Sequence, residues 1–304
     1  MTEKCNLCPR NCNVDRTSNV GVCQTHGVML SRVAKHMWEE PCISGQNGSG
    51  TVFFAGCNLR CRFCQNYDIT VRPHGVEVSP RRLADVFLYL QDLGVHNINL
   101  VTPSHVAQSL IEALTIAKPK LTVPVVYNTS SYEKVSALKL LDGLVDVYLA
   151  DLKFCNRQVA AMLCNAPDYF EVATAAITEM RRQQPQDVFD SNGIMQKGLI
   201  VRHLVLPSFV EDTKKVLDWV AHFDKHTYVS LMSQYFPARK DHNCEQLNRR
   251  LYKHEYDSAV QYFFNVGLVN GFTQDVQSAT RDYLPDFSDD DVSEVIENAP
   301  HVFG

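Results

Sequence analysis

Short apolar runs rich in β-branched and aromatic residues recur along the chain, each far enough from the next to leave room for a helix. They are TVFFAG (51–56), NINLV (97–101), VPVVYN (123–128), DVYLADL (146–152), GLIVRHLVLP (198–207) and TYVSLMSQY (227–235). Their apolarity is continuous rather than alternating, which predicts strands buried on both faces. Helix-period patterns fill the gaps at 80–93, 105–118, 133–141, 156–182 and 211–224, and another covers about 246–266. Ser79-Pro80 reads as an N-cap followed by proline in the first turn. The strand–helix alternation predicts parallel crossover units, in an open doubly wound sheet or in a full or partial (β/α) barrel. Either arrangement gathers ligands at the carboxyl ends of the strands.

The flanks differ in texture. Residues 1–50 are turn-rich with little periodicity, and the tail carries the acidic stretch FSDDDVSEVIEN. The expected organisation is a small cysteine-rich N-terminal lobe (1–50), a barrel (51–270) and an acidic, solvated C-terminal segment (271–304). The tail should hold at most one helical turn.

Composition narrows the class. With 45% hydrophobic and 21% charged residues, 304 residues can bury a full core. Lys plus Arg is 29 and Asp plus Glu is 34, so the net charge of 29 − 34 = −5 argues against a broad nucleic-acid-binding face. No apolar run approaches the length of a membrane span. The start, MTEKCNLC, lacks a secretory pattern, so a cytoplasmic location is expected.

The cysteines change the picture most. Of 11, Cys5, Cys8, Cys12, Cys23, Cys42, Cys57, Cys61 and Cys64 lie in the first 64 residues. A disulfide framework suits small secreted domains, so metal or iron–sulfur ligation is the better reading. Cys57, Cys61 and Cys64 follow the first buried run directly, spaced C-x3-C-x2-C. Three thiolates on one loop can hold three corners of a cubane 4Fe–4S cluster and leave the fourth iron open to an exogenous ligand. A zinc site or three buried thiols are the alternatives. Gly56 frees the backbone to turn at the loop entrance. Cys5, Cys8, Cys12 and Cys23 form a second group, suited to zinc or to an auxiliary cluster. Cys42 is a spare ligand candidate, whereas Cys155, Cys164 and Cys244 read as ordinary thiols. Glu39 and Glu40 read as a solvated pair.

FFAGCNLRCRFCQN (53–66) resembles the signature of the radical S-adenosylmethionine superfamily. CNLCPRNC, EEPCISG (39–45), NINLVTPSH (97–105), YNTSSY (127–132), YLADLK (148–153), RHLVLP (202–207) and SLMSQYFP (230–237) extend the likeness over almost the whole chain. Within that superfamily the chain is similar to the pyruvate formate-lyase activating enzyme-like iron–sulfur proteins. The resemblance implies a (β/α)6 partial TIM-type barrel, a 4Fe–4S cluster and S-adenosylmethionine as cofactors. It implies reductive cleavage to a 5′-deoxyadenosyl radical that abstracts hydrogen from a substrate. A glycyl radical enzyme as protein substrate, and flavodoxin or ferredoxin as electron donor, follow from the same likeness. A non-catalytic metal-binding or electron-transfer protein is the alternative.

The resemblance also assigns cofactor contacts. Phe63 would flank the adenine. Relatives carry Gly-Gly-Glu after the second strand, where this chain has Val101-Thr102-Pro103; Thr102 or nearby carbonyls would substitute. Asn128 matches a Thr-Asn-Gly turn, and Asp151 and Lys153 match a DLK run. Arg202 is a candidate for the methionyl carboxylate, and its neighbour His203 reads as a core histidine. His105 is balanced between a helix-start residue and a ligand. Gln234 and Tyr235 end the sixth strand and are candidates for adenine or substrate.

Overall fold

The computed structural model describes residues 4–274, 287 and 289–303. The chain enters the sheet with β1 (Val28–His36), then passes through a four-residue helix, α1 (Pro41–Ser44), to β2 (Ser49–Phe54). α2 (Tyr67–Val71), β3 (Val76–Val78) and α3 (Pro80–Asp92) follow. Crossover units then succeed one another: β4 (Ile98–Val101) with α4 (Ala107–Ala117), β5 (Val125–Thr129) with α5 (Val135–Leu138), and β6 (Val147–Asp151) with α6 (Arg157–Cys164) and α7 (Tyr169–Gln183). β7 (Val188–Phe189) forms a hairpin with β8 (Met195–Leu204), and α8 (Val210–Phe223), β9 (Tyr228–Met232), α9 (Lys253–Asn265), β10 (Gly271–Thr273) and α10 (Asp289–Asn298) complete the chain.

The sheet order is β10-β9-β8-β6-β5-β4-β2-β1-β3. From β2 to β10 neighbouring strands on this path run parallel, while β1 pairs antiparallel with both β2 and β3. The sheet does not close; the fold is the mixed α/β, partial-barrel type. Buried side chains explain the continuous apolar runs. β2 is buried at every position, and so is β4. The main core lies between the sheet and its helices, with Tyr127, Tyr148, Phe54 and Phe87 fully enclosed.

Three expectations need correction. The stretch 156–182 holds two helices, because Asn165 ends α6 in the left-handed conformation (φ 50°) and Pro167 follows. Residues 28–50 do not stand apart from the barrel, since β1 extends its sheet. The tail is not merely solvated. α10 packs on β1 and α3, Val292 and Ala299 are buried, and Asp85 accepts hydrogen bonds from the amides of Val302 and Phe303.

Candidate cluster and nucleotide site

The cysteine loop leaves β2 at the carboxyl end of the parallel strands. Gly56 sits at φ 82°, and a Cβ there would lie 2.3 Å from the carbonyl oxygen of Cys23, so the glycine admits the N-terminal lobe as well as the turn. His105 donates from Nε2 to the Ala55 carbonyl (2.7 Å), and burial lowers its pKa to about 4, which keeps it neutral. It is therefore a pin for the loop entrance, not a ligand. Arg62 anchors the far side through Asp241 (2.9 Å), and Gln65 donates to the Gln234 carbonyl (3.0 Å).

Arg10, from the CPRNC stretch, was not singled out by the sequence pattern. Its guanidinium donates to the carbonyls of Asn58 (2.6 Å) and Leu59 (3.1 Å) in the cysteine loop. It also reaches the carbonyls of Cys164 (3.0 Å) and Asn165 (2.5 Å) at the end of α6. One planar fork thus ties the lobe, the loop and a helix end together.

Cys57, Cys61 and Cys64 line one cavity with Phe63, Thr102, Asn128, Asp151, Lys153, Arg202 and Gln234. Of the cofactor-contact candidates named above, Tyr235 and His105 do not reach this wall. Tyr235 is buried instead, donating to the Leu247 carbonyl (2.7 Å). His203 points the other way from Arg202, into the core, between the Leu152 carbonyl (2.7 Å) and the Thr213 hydroxyl (2.9 Å). Phe63 packs edge-on to Phe154, ring centres 5.6 Å apart. Thr102 takes a left-handed conformation (φ 63°) and donates its amide to the Asn128 carbonyl (2.9 Å).

Behind the thiols lies a buried polar network. Arg202 donates to Asp151 (2.9 Å), to Asn128 Oδ1 (2.6 Å) and to Glu39 (3.2 Å). Lys153 Nζ meets the second Asp151 oxygen at 2.5 Å. Burial opposes the Asp151 charge, but Lys153 and Arg202 more than offset it and hold the pKa below the usual value. Asp151 and Lys153 thus both face the cavity and pair with each other.

Glu39 and Glu40 are not a solvated pair. Glu39 is enclosed by Asn99 (3.0 Å) and Arg202, and Glu40 is 7% exposed. Both acquire raised pKa values through burial. The partners lie on strands distant in sequence, so the EE dipeptide carried no local sign of burial. Cys42 does not approach the loop; it packs with Val126, Leu149 and Ile200 in a separate apolar cluster.

The thiol loop fits a cluster. Burial pushes Cys64 up to about 12 and raises Cys57 as well, so the thiolates these ligands must become need a compensating positive centre. Among the described residues no three His, Cys, Asp or Glu side chains converge closely enough for a single metal ion. Ligands of a cubane lie at its corners, farther apart than those of one ion. In the lobe, Cys8 and Cys23 are buried and Cys5 and Cys12 half-buried; Cys12 Sγ accepts from the Val22 amide (3.3 Å).

The fold is an α/β protein with a parallel sheet whose strand ends carry three thiols, cationic side chains and an aromatic around one cavity. The model of the Radical SAM superfamily matches residues 51–196. The uncharacterized protein MJ0674 of Methanocaldococcus jannaschii is 30% identical over 269 residues, spanning 85% of this chain and 74% of that protein. The chain belongs to the radical SAM superfamily and is a radical SAM enzyme.

Solved structures agree on the fold. Streptococcus suis SuiB bound to S-adenosylmethionine superposes with a TM-score of 0.51 at 15% identity, over 78% of this chain and 52% of SuiB. Methylornithine synthase (PylB) superposes with a TM-score of 0.51 at 14% identity, over 82% of this chain and 80% of that one. This chain therefore spans about half the length of SuiB. Among the described residues no helix is long and apolar enough to cross a membrane.

Proposed function

We propose that the chain binds a 4Fe–4S cluster on Cys57, Cys61 and Cys64 and uses it to cleave S-adenosylmethionine reductively. The observation that carries this reading is the sharing of one cavity by the three thiols, Asn128, Asp151, Lys153 and Arg202. When bound, the reduced cluster supplies one electron that splits S-adenosylmethionine and yields a 5′-deoxyadenosyl radical for hydrogen abstraction.

The chain's own residues would orient the nucleotide. Asp151 suits an ammonium or ribose hydroxyls, and Arg202 and Lys153 suit a carboxylate. Asn128 can serve either. Phe63 offers an apolar face for adenine, and Thr102 exposes its turn to the methionyl end. Leu59, Val101 and Leu204 supply the apolar part of this wall.

A small one-electron carrier such as flavodoxin or ferredoxin would provide the electron. The activase reading, with a glycine of a glycyl radical enzyme as hydrogen donor, rests on the resemblance alone. Cys5, Cys8, Cys12 and Cys23 are assigned a second metal, zinc or an auxiliary cluster. Cys42, buried elsewhere, is removed as the fourth thiolate an electron carrier would use, and Cys164, 3.3 Å from Cys61, is the thiol that stands in that place. Anaerobic reconstitution, then reduction by dithionite with S-adenosylmethionine, should release 5′-deoxyadenosine. A fully clustered protein that releases none would return the chain to the electron-carrier reading.

A further inference from the structure

A second cavity of about 640 Å³ adjoins the first, within the size range of small-molecule sites. Trp38, Glu39, Arg202, Met232 and Gln234 line both cavities, so a molecule in one would touch the wall of the other. The mouth carries Trp38, 59% exposed, and Met37, 41% exposed.

The polar groups of this cavity do not balance. Its ionisable lining is Glu39, Glu40 and Arg202, two acids beside one guanidinium. Arg202 is committed to Asp151, Asn128 and Glu39. Glu40 Oε2 is buried with no hydrogen-bond partner among the described residues. Buried carboxylate oxygens are costly to leave unpaired. A donor from outside the chain would complete the site.

We infer that this second cavity binds the substrate through an ammonium group held on Glu40, with an apolar skeleton packed on Trp38, Met232 and Phe272. A cation there would favour the charged form of Glu40 and supply the missing donor to Oε2. A carboxylate in the same place would face two acids. The class is thus a primary amine on a hydrophobic body. This deepens the radical reading above and rests on it.

The test uses three probes of one shape: phenethylamine, 2-phenylethanol and phenylacetate, titrated into the cluster-reconstituted enzyme by calorimetry. Phenethylamine should bind at least tenfold tighter than either analogue, and Glu40→Gln should cut that preference below threefold. Trp38→Ala should weaken phenethylamine several-fold. Equal affinity for the three probes, or an unchanged preference in Glu40→Gln, overturns the inference. Should Glu40→Gln not fold, unchanged phenethylamine binding in Trp38→Ala overturns it. Release of 5′-deoxyadenosine without any amine is scored separately. Selective amine binding without that product leaves the cavity assignment standing and removes the radical reading, and the product without selectivity does the reverse.

Discussion

The thiol of Cys164, at the end of α6, lies 3.3 Å from Sγ of Cys61, the middle cysteine of the loop. This neighbour, together with burial, raises the Cys61 pKa well above that of an ordinary thiol. Cys164, read from the sequence as an ordinary thiol, is therefore the one that borders the cluster loop most closely, a place expected for Cys42.

Two thiols so placed should cross-link when the cluster is absent. Dioxygen would take the two hydrogens and leave a Cys61–Cys164 disulfide. Non-reducing peptide mass spectrometry of air-exposed, cluster-free protein should find that bridge. Cys164→Ser should abolish it and raise cluster loading after aerobic purification. Absence of the bridged peptide in the unmutated protein would refute the prediction.

Arg10→Ala should loosen the cysteine loop without touching a thiol. Four backbone carbonyls lose a charged donor, and a net loss of about 2 kcal/mol is expected from charge-assisted bonds of this kind. Urea unfolding should show a lower midpoint, and the cluster absorbance should decay faster under chelator. Arg10→Lys should recover little, because an ammonium cannot span the fork. A chelation rate equal to that of the unmutated protein would remove Arg10 from this role.

The parallel strands and their carboxyl-end chemistry were legible because continuous apolar runs report burial on both faces, whatever the partners are. That Cys57, Cys61 and Cys64 share one cavity at the strand ends was legible because their spacing is local. β1 was missed because VMLSRVAKH lies among turn residues and gains its identity only by pairing with β2 across the sheet. The burial of Glu39 is equally non-local: Asn99 and Arg202 lie 60 and 163 positions away. The break at Asn165 was readable in Asn-Ala-Pro, but helical periodicity on both sides outweighed it.

His203 predicts acid sensitivity. Buried and neutral, it has a pKa lowered to about 4 by desolvation. A group depressed below its unfolded value of about 6.5 contributes stability at pH 7 that is lost as pH falls from about 6.5 to about 4, amounting to about 3 kcal/mol. Urea midpoints measured at pH 7 and pH 5 should differ, and His203→Gln should narrow the gap. An unchanged gap would show that other groups govern acid unfolding.

The N-terminal lobe makes a separate prediction about metal. If Cys5, Cys8, Cys12 and Cys23 hold an auxiliary cluster, reconstituted protein should carry more than four irons, and Cys8→Ala should lose the excess while keeping the loop cluster. The lobe should then unfold more readily, since metal binding there supplies folding energy. Four irons, no zinc and no change in Cys8→Ala would leave the lobe thiols without a metal.

Asp151 offers the sharpest division between a binding role and a structural one. It sits at the end of β6, bridging Lys153 at 2.5 Å and Arg202 at 2.9 Å, and all three face the cavity. Asp151→Asn keeps the shape and removes the charge. Breaking a buried pair leaves its cations under-compensated, so some stability should be lost whichever role the residue has. Binding separates the two. If Asp151 also accepts from the ammonium or ribose of S-adenosylmethionine, losing that charge-assisted bond should weaken affinity by about 1.5–3 kcal/mol, tenfold or more. Iron content should stay unchanged, because no thiol is altered. Calorimetry on the fully clustered variant gives the answer. A lower urea midpoint with unchanged S-adenosylmethionine affinity would make Asp151 a strand-end ion pair that only holds Lys153 and Arg202 in place. A tenfold weaker affinity at full iron occupancy would make it a ligand to the nucleotide.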